Sequence, residues 1–255
     1  MKGKNRMIKY LWLSLKMQFR IPFSIFFALV FPLLMMIIMI ASYGNFPIGN
    51  GYHFIDKYFL ISTGIGLVPI FMISYPIWIA ESIQNNSYRR LSYLGVEVKK
   101  MVVSDILSYL VLTLINVSLN IVVALIFFHL KVPSVIYLLS YFVNVLYCAV
   151  AMLVVGTLIA IMIRNTKIIL PFGMICLFMI YMFCGVFINY DQLPAGIKSI
   201  GNFIPVKYLM NDFFSIWSRK RYFIPRFLEL NTLIVFLTGL LLFAFHKISL
   251  RWKRI

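Results

Sequence analysis

The stretch from Ile168 to Trp217 constrains the chain most, because its lengths do not suit a simple hairpin across a bilayer. Ile168 to Ile188 is an unbroken apolar run of 21 residues, and at about 1.5 Å per residue it covers a hydrocarbon core of roughly 30 Å. After Asn189-Tyr190-Asp191-Gln192-Leu193-Pro194 come two apolar-striped pieces, Ile197 to Ile204 and Val206 to Trp217, each too short to cross. They must lie on the membrane or dip part-way into it. Backbone that enters a bilayer without spanning it needs protein or water around its polar groups, so these pieces are expected to pack over a cavity or a partner subunit.

Spanning-length runs recur, at about 21–43, 57–80, 101–128, 135–163 and 230–249 besides 168–188. With 62% hydrophobic residues and a mean hydropathy of +0.94, this exceeds what a soluble core holds. The chain reads as one all-α transmembrane domain, 1–255, of six membrane helices. The net charge of +17 does not indicate nucleic acid, because the basic residues fall in short segments between apolar runs and form no stripe interleaved with aromatics. Cys148, Cys176 and Cys184 lie inside apolar runs and read as small buried hydrophobes.

Residues 1–22 alternate Lys2, Lys4, Arg6, Lys9, Lys16 and Arg20 with Ile8, Leu11, Trp12, Leu15 and Phe19 at helical spacing, the pattern of an amphipathic interfacial helix. A signal peptide is the alternative; the run from Ile21 to Tyr43 is longer than its apolar region, so the segment is read as uncleaved. Pro32 should kink the first span unless neighbouring groups satisfy the freed carbonyl. The second span holds Gly64, Gly66, Pro69, Ser74 and Pro76, which permit close packing or line a passage. The connection 81–100 mixes Glu81, Tyr88, Arg89, Arg90, Glu97, Lys99 and Lys100 with Leu91 and Leu94, a composition suited to a docking surface. In the third span Asp105, Ser108, Thr113, Asn116 and Asn120 fall near one face, which should point at other helices or water.

Of the 24 Lys and Arg, 16 flank one side of the spans, which places both termini in the cytoplasm. Six of the other 8 lie between the fifth and sixth spans, an exception to that rule. No phosphate-binding loop is present, since Gly3-Lys4 is followed by Asn5, and His53, His129 and His246 are scattered without ligand partners. No nucleophile or paired-carboxylate constellation marks an enzyme, and no charges deep within spans mark a proton-driven pump. Energy for any transport should come from somewhere else. In 189–229, read as an extracellular cap, Leu193, Pro194, Pro205, Phe213 and Trp217 are candidate gate residues with Gly196 and Gly201 as hinges. Val206, Leu209, Met210, Phe213, Phe214 and Trp217 share its apolar face, with Lys207, Asn211, Asp212 and Ser215 opposite.

Glu81, then Tyr88-Arg89-Arg90-Leu91 and Lys100, then Cys184-Gly185-Val186-Phe187, Leu193-Pro194 and Ile204-Pro205, stand in the order of motifs found in type 2 ABC transporter permeases of bacteria. The chain resembles that family over essentially its whole length, with Cys184 where the family usually has Ser. The resemblance implies two permease chains, identical or not, in the cell membrane, driven by two separate ATP-binding subunits that carry ATP and Mg; this chain binds no cofactor. It implies ATPase coupling through Glu81, Tyr88, Arg89, Arg90, Leu91 and Lys100. It also implies a passage along the second and fifth spans, through Gly64, Gly66, Pro69, Phe178, Met179, Met182 and Phe183. Methionine and aromatic surfaces repack around varied apolar ligands, so the expected cargo is an amphipathic or hydrophobic peptide, drug or lipid, exported. A membrane-embedded immunity or sensory protein that binds a ligand without transport is the alternative reading.

Overall fold

The structure, a computed structural model, describes residues 2–19, 25–188 and 190–252, without the side chains of 2–6, 89 and 245–252. Expectations on Lys2, Lys4, Arg6, Arg20 to Ser24, the Arg89 side chain, Asn189 and the basic tail from Lys247 lie outside the described residues. The interfacial segment forms α1 (Lys2–Gln18). Among the described residues six helices are long and apolar enough to cross a membrane: α2 (Phe26–Tyr43), α3 (Phe54–Gln84), α5 (Val98–Phe128), α6 (Val135–Ile163), α7 (Thr166–Cys184) and α10, whose apolar part is Pro225–Ala244. Between α3 and α5 lies the short α4 (Ser87–Tyr93). Between α7 and α10 lie α8 (Ala195–Gly201) and α9 (residues 205–217). The molecule is an all-α, multi-pass membrane protein. Its one hairpin among the described residues pairs Pro47–Gly49 with Tyr52–His53, through Asn50 and Gly51 at positive φ, the turn such dipeptides favour.

Element ends follow from local chemistry. The second span begins at Phe54, earlier than the run at 57, because Asp56 Oδ2 accepts from the His53 backbone N–H at 2.7 Å and closes a capping box. The fifth span, α7, stops at Cys184, short of Ile188, because Gly185 takes the left-handed conformation (φ 78°) and Val186 N–H returns to the Tyr181 carbonyl at 3.0 Å. Pro225 suits the first turn of α10, where its missing N–H goes unmissed.

Prolines organise the interior. The turn Phe26–Val30 is wide, with Phe31 N–H bonded to the Phe26 carbonyl, and it contains Ala28, the residue whose carbonyl Pro32 can neither bond nor clear. Asn116 of α5 donates its amide to that Ala28 carbonyl, and the kink expected at Pro32 takes this compensated form. A second wide turn, Ile70–Ser74, contains Met72, which stands in the same relation to Pro76. Pro69 frees the Ile65 carbonyl, and the Tyr181 hydroxyl of α7 donates to it at 2.7 Å. Each repair comes from a different helix, so α3 and α2 are held by the groups their prolines expose.

α3 is the hub. In its apolar stretch 89% of residues are buried, against 17% to 39% for the other five spans. A helix apolar all round is suited to this central place. The polar face of α5 turns inward as its pattern requires: Asp105, Ser108, Thr113, Asn116 and Asn120 are all buried, and the Ser62 hydroxyl of α3 lies 2.7 Å from Asn120 Oδ1 and 2.6 Å from the Pro32 carbonyl, with one proton to share between them.

Candidate functional site

At the end of α3 that leads into α4, a cleft of about 380 Å³ is lined by Glu81, Tyr88, Arg90 and Leu91, with Trp78, Ser82, Asn85, Ser87, Met17 and Met101. The fold thus gathers four of the six residues assigned to coupling. The connection 81–100 is mostly helical: α3 continues to Gln84, Asn86 takes a left-handed conformation, and α4 turns back beneath α5. Lys100 stands apart, in an exposed pair with Glu97 at 2.6 Å that contributes little to stability.

The cleft is anchored from behind by a shared carboxylate. Asp105 Oδ1 accepts from Ser14 of α1 at 2.6 Å and Oδ2 accepts from the Tyr88 hydroxyl at 2.9 Å. One turn further, Gln18 of α1 donates to Ser108. Burial, and then the Asp105 charge, push the Tyr88 phenol well above the ordinary tyrosine value, so it remains a donor at neutral pH. The α1 surface against the protein therefore includes polar groups, with Ser14 and Gln18 buried beside half-buried Met7, Tyr10, Leu11 and Leu15, while Ile8, Trp12, Leu13 and Phe19 are exposed. By helical period alone Ser14 and Gln18 fall with Lys9 and Lys16 opposite the stripe of Ile8, Leu11, Trp12, Leu15 and Phe19. The missed signal is Ser14 and Gln18 one turn apart, matching Asp105 and Ser108 one turn apart.

A second cavity, about 250 Å³, opens between α2, α3 and α7. Phe27, Phe31, Met35, Ile65, Met174, Leu177, Phe178 and Phe187 line it, and the hydroxyl of its one tyrosine, Tyr181, is engaged by the Ile65 carbonyl. Such a wall suits an alkyl or aromatic group and offers a polar one nothing. Phe178 reaches this cavity; Met179 and Met182 are exposed on the outer face of α7 and Phe183 is half-buried. Gly64, Gly66 and Pro69 are buried within the chain. A side chain at Gly64 would meet Met210 of α9, and one at Gly66 would come within 2.7 Å of the Ala28 carbonyl.

The two pieces between α7 and α10 differ. α8 is superficial, with Pro194 exposed and Leu193 buried beneath it. α9 is inserted: Pro205, Phe213 and Trp217 are buried, and the Trp217 ring packs 4.4 Å from Phe59 and 5.4 Å from Tyr141. Lys207, expected on an outward polar face, is instead 6% exposed. Its ammonium lies 2.8 Å from Asp212 and 4.7 and 4.6 Å from the Tyr190 and Tyr208 ring centres. Burial alone would lower the Lys207 pKa; Asp212 and the two rings more than offset it and raise it above the ordinary lysine value. A buried cation is admitted here because its own helix supplies the countercharge one turn away.

The family model described as ABC-2 type transporter matches residues 8–217, a range that takes in the cleft, the apolar cavity and α9. No curated protein and no solved structure matches the chain.

Proposed function

The chain belongs to the ABC-2 type transporter family, and from that premise we propose that it is the permease of an ATP-driven exporter of amphipathic or hydrophobic cargo in a bacterial cell membrane. Two such chains, identical or paired with a relative, form the passage, and two separate ATP-binding subunits supply the work from the cytoplasm, where both termini lie. The observation that carries the reading is the cleft that brings Glu81, Tyr88, Arg90 and Leu91 together at the root of α4. It presents both charge signs and an apolar floor, the composition of a docking surface for a protein partner. The apolar cavity between α2, α3 and α7 supports the cargo class, because its walls reward hydrocarbon and not charge.

The test is purification in mild detergent together with a co-expressed ATP-binding subunit of an ABC-2 type transporter, with Glu81→Ala and Arg90→Ala combined. Removing charges that become buried on docking costs about 2–5 kcal/mol, so the double variant should lose the ATPase by more than about tenfold while the permease stays folded. Unaltered association and unaltered cargo-stimulated hydrolysis would remove the cleft from the coupling role. A wild-type chain that binds a ligand and carries no ATPase would favour the sensory reading instead.

A further inference from the structure

The turn between α9 and α10 carries Arg219, Lys220 and Arg221, and Arg226 follows in the first turn of α10; all four are exposed. Among the described residues none of the four forms an ion pair within 4.0 Å, and Glu229 is the one acid in 219–229. This is the cluster that runs against the charge asymmetry of the other loops, and neither the coupling cleft nor the apolar cavity uses it.

The turn is held rigidly. Lys220 and Arg221 both return their N–H groups to the Ser215 carbonyl, at 2.9 and 3.2 Å, and Arg219 sits at φ 62° to close the helix end. Ser140 of α6 donates to the Tyr222 carbonyl, the Tyr222 ring stacks on Tyr137 at 4.4 Å and 9°, and Ile224 is buried. Its level is fixed by the spans it joins. Tyr137 is in the first turn of α6, Pro225 opens α10, and Val135, Ile136 and Leu139 beside them are 78%, 65% and 64% exposed apolar surface. Four cations with half-exposed Tyr222 and Phe223 therefore stand where hydrocarbon gives way to headgroups, the depth at which aromatic and basic side chains anchor proteins.

We infer that this turn binds the anionic phosphodiester headgroups of phospholipids in the leaflet on its own side. The choice rests on charge complementarity and depth: a row of cations at the edge of an apolar belt meets a phosphate and an acyl chain at once, which a soluble anion does not offer. Each cation near an anionic surface raises occupancy by a factor of about five, screened over about 8 Å at physiological salt. The inference is independent of cargo and of the ATPase.

The test uses the full chain with Cys148, Cys176 and Cys184 replaced and a fluorophore at Phe223→Cys, in vesicles of phosphatidylcholine with a small fraction of spin-labelled phosphatidylglycerol or spin-labelled phosphatidylcholine. Quenching by the anionic lipid should exceed that by the zwitterionic lipid several-fold. It should fall to parity when Arg219, Lys220, Arg221 and Arg226 are all changed to Gln, and also, with no such change, in about 1 M salt, where screening shortens to about 3 Å. The salt arm decides the matter if the four-fold variant fails to fold. Parity of the two lipids at low salt would overturn the assignment. So would relief of the quenching by soluble polyphosphate at concentrations below those of the lipid phosphate, which would make the partner a soluble polyanion.

Discussion

α3 and α7 face opposite ways although both were read as walls of a passage. α3 is rich in glycine and proline and is buried on nearly every side. α7 is rich in methionine and aromatic residues and leaves Phe172, Ile175, Phe178, Met179 and Met182 exposed. Small residues report how near another backbone comes, as at Gly66 beside Ala28. Large, soft residues report a surface that must fit something not fixed by the chain itself. Any passage shared with a second subunit is therefore expected along α7 and the cavity it borders, with α3 as the frame behind.

The comparison breaks most severely at Gly66. Gly66→Val would drive a branched side chain into the Ala28 carbonyl and Asn116, and should destabilise the protomer by more than about 3 kcal/mol, visible as loss of a monodisperse folded species on size exclusion. Gly64→Ala meets only the flexible Met210 side chain and should fold with a lowered melting temperature. Next in size are the repairs of proline carbonyls. Asn116→Leu and Tyr181→Phe should each cost about 1–2 kcal/mol in thermal unfolding in detergent, because each leaves a buried carbonyl unanswered. Smallest on stability are Met179→Ala and Met182→Ala, expected within about 0.5 kcal/mol since neither side chain is buried by its own chain. These same changes should alter cargo transport or association of two permease chains. A large loss of stability there, with tolerance at Gly66, would reverse the assignment of frame and wall.

The spans were legible because length and apolarity leave few alternatives, and the short pieces 195–201 and 205–217 were legible because neither could cross. Pro32 announced its own need for a donor, though not that Asn116 would supply it. Burial of polar groups was not legible. Lys207 falls on the polar side of α9 by periodicity, yet the helix is inserted and the residue is neutralised by Asp212, which lies five positions on and is brought within reach by the wide turn Tyr208–Asp212. The burial of Ser14 and Gln18 was not legible either, because a helical wheel groups them with Lys9 and Lys16 and records polarity, not what lies opposite. Within the coupling segment the sequence marked Glu81, Tyr88, Arg90 and Leu91 but not Asp105 as their support, since that link spans seventeen positions and two helices.

The wide turns in α2, α3 and α9 have a geometric result beyond hydrogen bonding. Each adds one residue to a turn, so the sequence period of the side chains after it falls about 100° out of step with that of the side chains before it. In α3 the half with Gly64 and Gly66 and the half with Trp78 and Glu81 are thus two wheels set on one axle out of phase. Deleting a single residue within 70–74 would turn the wide turn into a regular one and leave the packing faces on both sides where they are, whereas the same deletion in a regular turn of α3 would swing everything after it by about 100°. A helix of this kind can take up a change of one residue in its length at one position, without revising a single contact residue.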